Sequence, residues 1–140
     1  MSKKITFIKI LFYVGAAVDV LATLPLIFPE VAQSGFGLEP FTVTDDYMYV
    51  SRMAASLMFG WAFLLFWGSF KPIERKGLLL ITLFPVVFGV FISSVLLVNS
   101  GYVEVKYLFS LWGYYALLIP AYIYGYIAAS KIEKTKNIIS

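Results

Sequence analysis

One carboxylate interrupts a long apolar stretch near the N-terminus. Asp19 lies within LFYVGAAVDVLATLPLIF, residues 11–28, where every other residue is uncharged. An aspartate at the depth of a bilayer costs about 2.5–3.5 kcal/mol on insertion scales, so such a group normally faces the protein interior and has a partner. Its chemistry would be ligand binding, proton transfer or the pairing of two helices.

The chain contains no histidine and no cysteine. Their absence excludes disulfides, Cys- or His-ligated metal sites and histidine-based acid–base catalysis, and we expect neither a metal nor a cofactor. An isomerase-like reaction needs two acid–base groups within reach of one substrate. The apolar stretches offer no second carboxylate, so an intramembrane enzyme is the least supported interpretation.

The composition indicates a membrane protein. Hydrophobic residues make up 61% of the chain and charged residues 14%, and the mean hydropathy is +0.86. Soluble domains are nearer 45–50% apolar and about 25% charged. The sequence pI is about 9.1, but the basic residues lie where membrane topology requires them, so we expect no nucleic-acid partner.

Four apolar stretches are long enough to cross a bilayer, whose core of about 30 Å takes about 20 helical residues. They cover residues 5–28, 50–70, 77–98 and 107–129. The predicted fold is therefore all-α: one domain, residues 1–140, forming a bundle of four transmembrane helices. The long first loop, from about Pro29 to Tyr49, is expected to form a packed cap or a short helix.

The basic residues orient the bundle. One side carries nine of the eleven Lys and Arg residues: Lys3, Lys4, Lys9, Lys71, Arg75, Lys76, Lys131, Lys134 and Lys136. The other side carries Arg52 and Lys106, and its first loop holds Glu30, Glu39, Asp45 and Asp46. We therefore expect a multi-pass protein of the cell membrane with both termini in the cytoplasm.

Asp19 shares its helix face mostly with small residues, among them Gly15, Ala16 and Ala22. Small residues mark the side on which membrane helices approach closely, so Asp19 is expected to face the bundle and Gly15 to serve helix packing. Polar residues of the other three helices lie at similar depth in the outer half. The predicted ligand-binding set is Asp19, Arg52, Ser56, Ser93, Ser94, Tyr114 and Tyr115.

Three interpretations of Asp19 stay open, of which proton-coupled or enzymatic use of its carboxyl group is the least supported. It forms the floor of an outward-facing polar pocket with Arg52, suited to a small organic cation or an amphipathic molecule, or it pairs with Arg52 only to hold two helices together. A ridge of small residues, Ala121, Gly125 and Ala129, likewise serves packing within the chain or the seam of a homodimer.

The segments FPEVAQSGFGL, after the first apolar stretch, and SRMAASLMFGWAFLLFWG, which opens the second, resemble the DoxX-like families of small bacterial membrane proteins. The resemblance implies a four-helix bundle in the inner membrane, often with an accessory role, and it carries over no catalytic residue. The sequence thus favours a non-enzymatic accessory or ligand-binding module. A homo-oligomeric transporter and an isomerase-like enzyme are the alternatives, and a larger membrane complex is a further expected partner.

Overall fold

The computed structural model describes residues 3–36 and 42–139, which form helices joined by turns, with no β-strand in either range. The helices are α1 Lys3–Ala22, α2 Leu24–Ile27, α3 Pro29–Phe36, α4 Asp45–Gly68, α5 Gly77–Ile81, α6 Phe88–Asn99 and α7 Val105–Ile139. The predicted all-α fold is confirmed for these residues. Glu39, which we assigned to the acidic first loop, lies outside them.

Three helical segments are long and apolar enough to cross a membrane: Lys3–Ile27, Asp45–Gly68 and Gly77–Asn99. They correspond to the first three predicted spans and indicate a multi-pass membrane protein. Helix α7 is long, but it is not among the helices that meet this criterion of length and composition. The fourth span therefore stays a prediction.

Two helices extend beyond the predicted spans. Helix α4 begins at Asp45, where the Thr44 hydroxyl accepts a hydrogen bond of 3.2 Å from the backbone N–H of Tyr47. A threonine cap and acidic residues in the first turn both stabilise a helix N-terminus, so the helix starts before its apolar part. Helix α7 continues to Ile139, and its Glu133 forms an ion pair with Lys76 at the start of α5.

The third apolar segment is broken in its middle. Residues 82–87 connect α5 to α6, Phe84 has an extended backbone (φ −135°, ψ 100°), and the Phe84–Pro85 peptide bond is cis. Proline cannot donate the backbone hydrogen bond that a continuous helix requires. Pro120, in contrast, lies inside α7 without ending it.

The core lies where α1 packs against α4 and α7, and where α5 packs against α7. Its fully buried side chains are Ile8, Phe12, Leu65, Leu79, Leu108, Tyr122 and Ala129. The small-residue ridge of α7 faces this core, since a Cβ at Gly125 would lie 2.6 Å from Leu11 Cδ1 and 3.3 Å from Leu79 Cδ1. The ridge thus packs within one molecule, which fits the first of its two interpretations.

Candidate ligand-binding cavity

A cavity of about 520 Å³ lies among α1, α4, α6 and α7. Residues of α2 and α3, including Leu26 and Ala32, line one end of it, and Thr82 lines it from the break in the third segment. Its walls are mostly apolar. The size is within the range of roughly 300–1,000 Å³ that small-molecule sites occupy.

Asp19 brings the carboxylate into this cavity. Its side chain is half-buried, and its Oδ2 atom is fully buried with no hydrogen-bond partner in the described part of the chain. Gly15 and Ala22, one turn before and almost one turn after, also line the cavity and leave room around the carboxylate because they are small. A buried acceptor without a partner costs about 1–3 kcal/mol, and more when it is charged.

Three tyrosines of α7 line the same cavity: Tyr114, Tyr115 and Tyr122. The ring centroids of Tyr114 and Tyr115 are 5.9 Å apart. Tyr122 is almost fully buried, and its hydroxyl donates a long hydrogen bond of 3.4 Å to the backbone carbonyl of Leu11. Tyr122 was not among the predicted site residues, although its spacing of seven and eight residues from the predicted pair places all three on one helix face.

A hydrogen bond between α4 and the broken segment borders the cavity. The indole N–H of Trp61 donates to the Thr82 hydroxyl at 3.2 Å, and that hydroxyl donates to the Leu78 carbonyl at 2.7 Å. Thr82 is buried although it is polar, because both of these bonds satisfy it. Neither residue was among the predicted site residues.

Arg52 and Ser56, which we predicted to bind the ligand, lie outside this cavity. Both line a separate surface depression with Thr23 and Phe59, both are exposed, and the Ser56 hydroxyl donates to the Arg52 carbonyl at 3.0 Å. The residue of this turn that faces α1 and α2 is Ser51, which is buried and donates to the Leu26 carbonyl at 2.5 Å. The structure does not bring Arg52 to Asp19, and the ion pairs within residues 3–36 and 42–139 do not join them.

Ser93 and Ser94 also lie outside the cavity wall. Ser93 is exposed and donates to the Gly89 carbonyl of its own helix at 2.9 Å. Ser94 is buried, where it accepts a 2.9 Å hydrogen bond from the Trp112 indole N–H and so connects α6 to α7. Of the predicted ligand-binding residues, the structure therefore gathers Asp19, Tyr114 and Tyr115 around one space.

This arrangement combines one hydrogen-bond acceptor, tyrosine hydroxyls and a predominantly apolar wall. A carboxylate accepts hydrogen bonds from a protonated amine, and aromatic rings attract cations. Apolar walls with a few placed polar groups are typical of small-molecule sites. The cavity is thus chemically suited to an organic cation that carries an apolar part.

Comparison with protein-family models, with curated proteins and with solved structures finds no match to this chain. The resemblance to the DoxX-like families therefore stays an expectation.

Proposed function

We propose that this protein is a multi-pass membrane protein that binds a small organic cation at Asp19, inside the cavity among α1, α4, α6 and α7. One observation carries the proposal: the buried Oδ2 atom of Asp19 lacks a hydrogen-bond partner among the described residues, and Asp19 lines a space of about 520 Å³. A ligand ammonium group would satisfy that oxygen.

The energetics favour a protonated amine over a neutral ligand. A hydrogen bond to a charged group contributes about 1.5–3 kcal/mol, and a cation beside an aromatic ring gains about 0.5–2 kcal/mol. The tyrosines at 114 and 115 supply such rings on the cavity wall. The apolar lining then contributes by burying the hydrocarbon part of the ligand.

We further propose that α7 is a fourth membrane span and that both termini lie in the cytoplasm. Support for the fourth span comes from Leu118, Tyr122 and Ala129, which α7 contributes to the core formed with α1 and α5. Support for the orientation comes from the basic residues at the start of α1, between α4 and α5, and at the end of α7. In this arrangement Asp19 lies in the outer half of the membrane.

Binding, as an accessory or receptor module, is favoured over catalysis. Asp19 is the one carboxylate among the residues that line the cavity in the described ranges, and we assign the tyrosine hydroxyls beside it to ligand contact rather than to proton transfer.

The test is a thermal-stability screen of the purified protein in detergent against primary, secondary and quaternary amines. A ligand at a hundred times its dissociation constant stabilises the folded state by about 2.7 kcal/mol. We expect some amines to raise the melting temperature of the wild type and of Arg52→Gln, the control outside the cavity, but not that of Asp19→Asn. If no amine shifts the wild type, the proposal is wrong.

A further inference from the structure

The two helices on either side of the cavity, α4 and α6, do not pack closely against each other in the described part of the chain. In the part of the chain that the structure describes, α4 packs on α1, α2 and α5, whereas α6 packs on α7 and on the broken segment before it. Both nevertheless line the cavity, α4 with Ala54 and Met58 and α6 with Val90. Two walls that pack so sparsely leave a gap between them.

A hydrogen bond defines one end of the gap between α4 and α6. Trp61 of α4 reaches the third segment through its hydrogen bond to Thr82, one turn along α4 from Met58. Beyond this bond the chain leaves the helical path at Phe84 and continues as α6. Helix α4 and the third segment thus meet at Trp61 and Thr82. The cavity lies beyond this contact, where the two separate.

The rim of the gap is apolar. Ala54 and Met58 are half-buried, and Val90 lines the cavity while remaining 37% exposed. Next to Val90, Phe91 and Ile92 are exposed, as expected for a helix surface in contact with lipid. A hydrated cation pays a large desolvation cost to pass such a rim, whereas a molecule that is already dissolved in the bilayer passes with its hydrocarbon part still in an apolar medium.

We infer that the ligand is a membrane-dissolved long-chain amine that enters sideways between α4 and α6, with its ammonium group at Asp19 and its chain in the gap. This inference rests on the proposed function and specifies its ligand class and its route. A short, water-soluble amine would use the same carboxylate without the contacts in the gap.

The experiment measures association and dissociation of dodecylamine and of n-butylamine with the full chain in phosphatidylcholine nanodiscs. Val90→Trp narrows the gap, and Ile92→Trp is its matched control, because Ile92 is an exposed residue of the same helix that does not line the cavity. Referred to the total amine concentration, dodecylamine should bind at least a hundredfold more tightly than butylamine, since each methylene raises the amount of amine dissolved in the bilayer about fourfold. Val90→Trp should slow dodecylamine association at least tenfold, and Ile92→Trp should leave it unchanged.

A second readout does not depend on the bulky variant. The chain contains no cysteine, so Val90→Cys and Ile92→Cys each accept one bimane label. We expect lipids with a doxyl group on the acyl chain to quench both labels, and dodecylamine to relieve the quenching at position 90 only.

The outcomes separate this inference from the proposed function. If both amines bind with equal affinity at Asp19, or if Val90→Trp behaves like Ile92→Trp and dodecylamine leaves the quenching at position 90 unchanged, the sideways route is wrong while the binding function stands. If neither amine binds the wild type, the proposed function fails and the inference with it.

Discussion

The hydroxyl group of Tyr122 on α7 lies directly against the backbone of α1 at Gly15, in the space that any other side chain at position 15 would fill. Gly15 is one helical turn from Asp19, so this contact sets the distance between α1 and α7 beside the cavity. Close approach of two membrane helices commonly depends on such small residues. The site therefore depends on packing as well as on its carboxylate.

Gly15→Ala is expected to destabilise the protein. Its Cβ would overlap the Tyr122 hydroxyl and lie 3.1 Å from Leu65 Cδ1, and overpacking of this kind costs about 1–3 kcal/mol. Thermal melting in detergent measures the loss. Tyr122→Phe removes the overlapping oxygen and should restore part of the stability in the double variant. Gly60→Ala is the control, because a Cβ there meets no atom beyond its own stretch of helix within 4 Å in the described part of the chain. An equal loss at both glycines would contradict this explanation.

Thr82→Val should weaken the contact between α4 and the broken segment. It removes the hydroxyl that accepts from the Trp61 indole, and hydrogen bonds between membrane helices contribute about 0.6 kcal/mol on average, with a maximum near 1.7. We expect a small drop in melting temperature and a change in the wavelength of tryptophan emission, which together measure the loss of this contact. Ser93→Ala, which removes a hydroxyl bonded to the Gly89 carbonyl of its own helix α6, should change neither the melting temperature nor the emission. Equal effects of the two substitutions would exclude a special role for the Trp61–Thr82 bond.

Lys76→Gln tests the attachment of the C-terminal part of α7. Lys76 and Glu133 are paired across the fold with side chains 16% and 41% exposed, so a loss of about 0.2–1 kcal/mol is expected, and less at high salt. The control is Lys71→Gln. Lys71 donates to Glu74 at 3.0 Å and holds the pKa of that carboxyl below its usual value, but both groups are exposed, and no measurable loss of stability is expected. Melting curves at two salt concentrations compare the variants. A larger loss of stability for Lys71→Gln would contradict the view that the Lys76–Glu133 pair is the one that stabilises the fold.

Single cysteines test the four-span arrangement, since the native chain has none. With both termini in the cytoplasm, Asp45→Cys and Lys106→Cys should react with a membrane-impermeant maleimide on intact cells. Lys4→Cys, Arg75→Cys and Lys134→Cys should react only after permeabilisation. Labelling of Lys134→Cys together with Lys106→Cys on intact cells would show that α7 does not cross the membrane.

Hydropathy predicted an all-α membrane protein and its first three apolar segments, and the small residues around Asp19 predicted that it faces the protein interior. Both are local features of the sequence. The position of Arg52 was not predictable in this way. Successive residues on a helix point about 100° apart, so the side chain that faces α1 and α2 is Ser51, while Arg52 points to the surface. That rotation is decided by packing between helices.

The cavity itself depends on features that the sequence shows only indirectly. Helix α6, which lines the cavity, follows the break at Phe84. Although Pro85 indicates a local disturbance, it does not specify the direction in which the second half of the segment continues. Tyr122 enters the site because Gly15 lies opposite it, and this pairing of distant residues follows from the helix arrangement alone.

The most direct test of the account compares the affinity of wild type and of Asp19→Asn for one amine identified in the stability screen, together with their melting temperatures without ligand. Loss of a charge-assisted hydrogen bond worth about 1.5–3 kcal/mol predicts an affinity roughly ten- to a hundredfold weaker. The unliganded Asp19→Asn protein should melt at the wild-type temperature or above it, since Oδ2 has no partner to lose in the described structure. Equal affinities, or an Asp19→Asn protein that melts well below the wild type, would contradict the account and assign Asp19 to helix pairing.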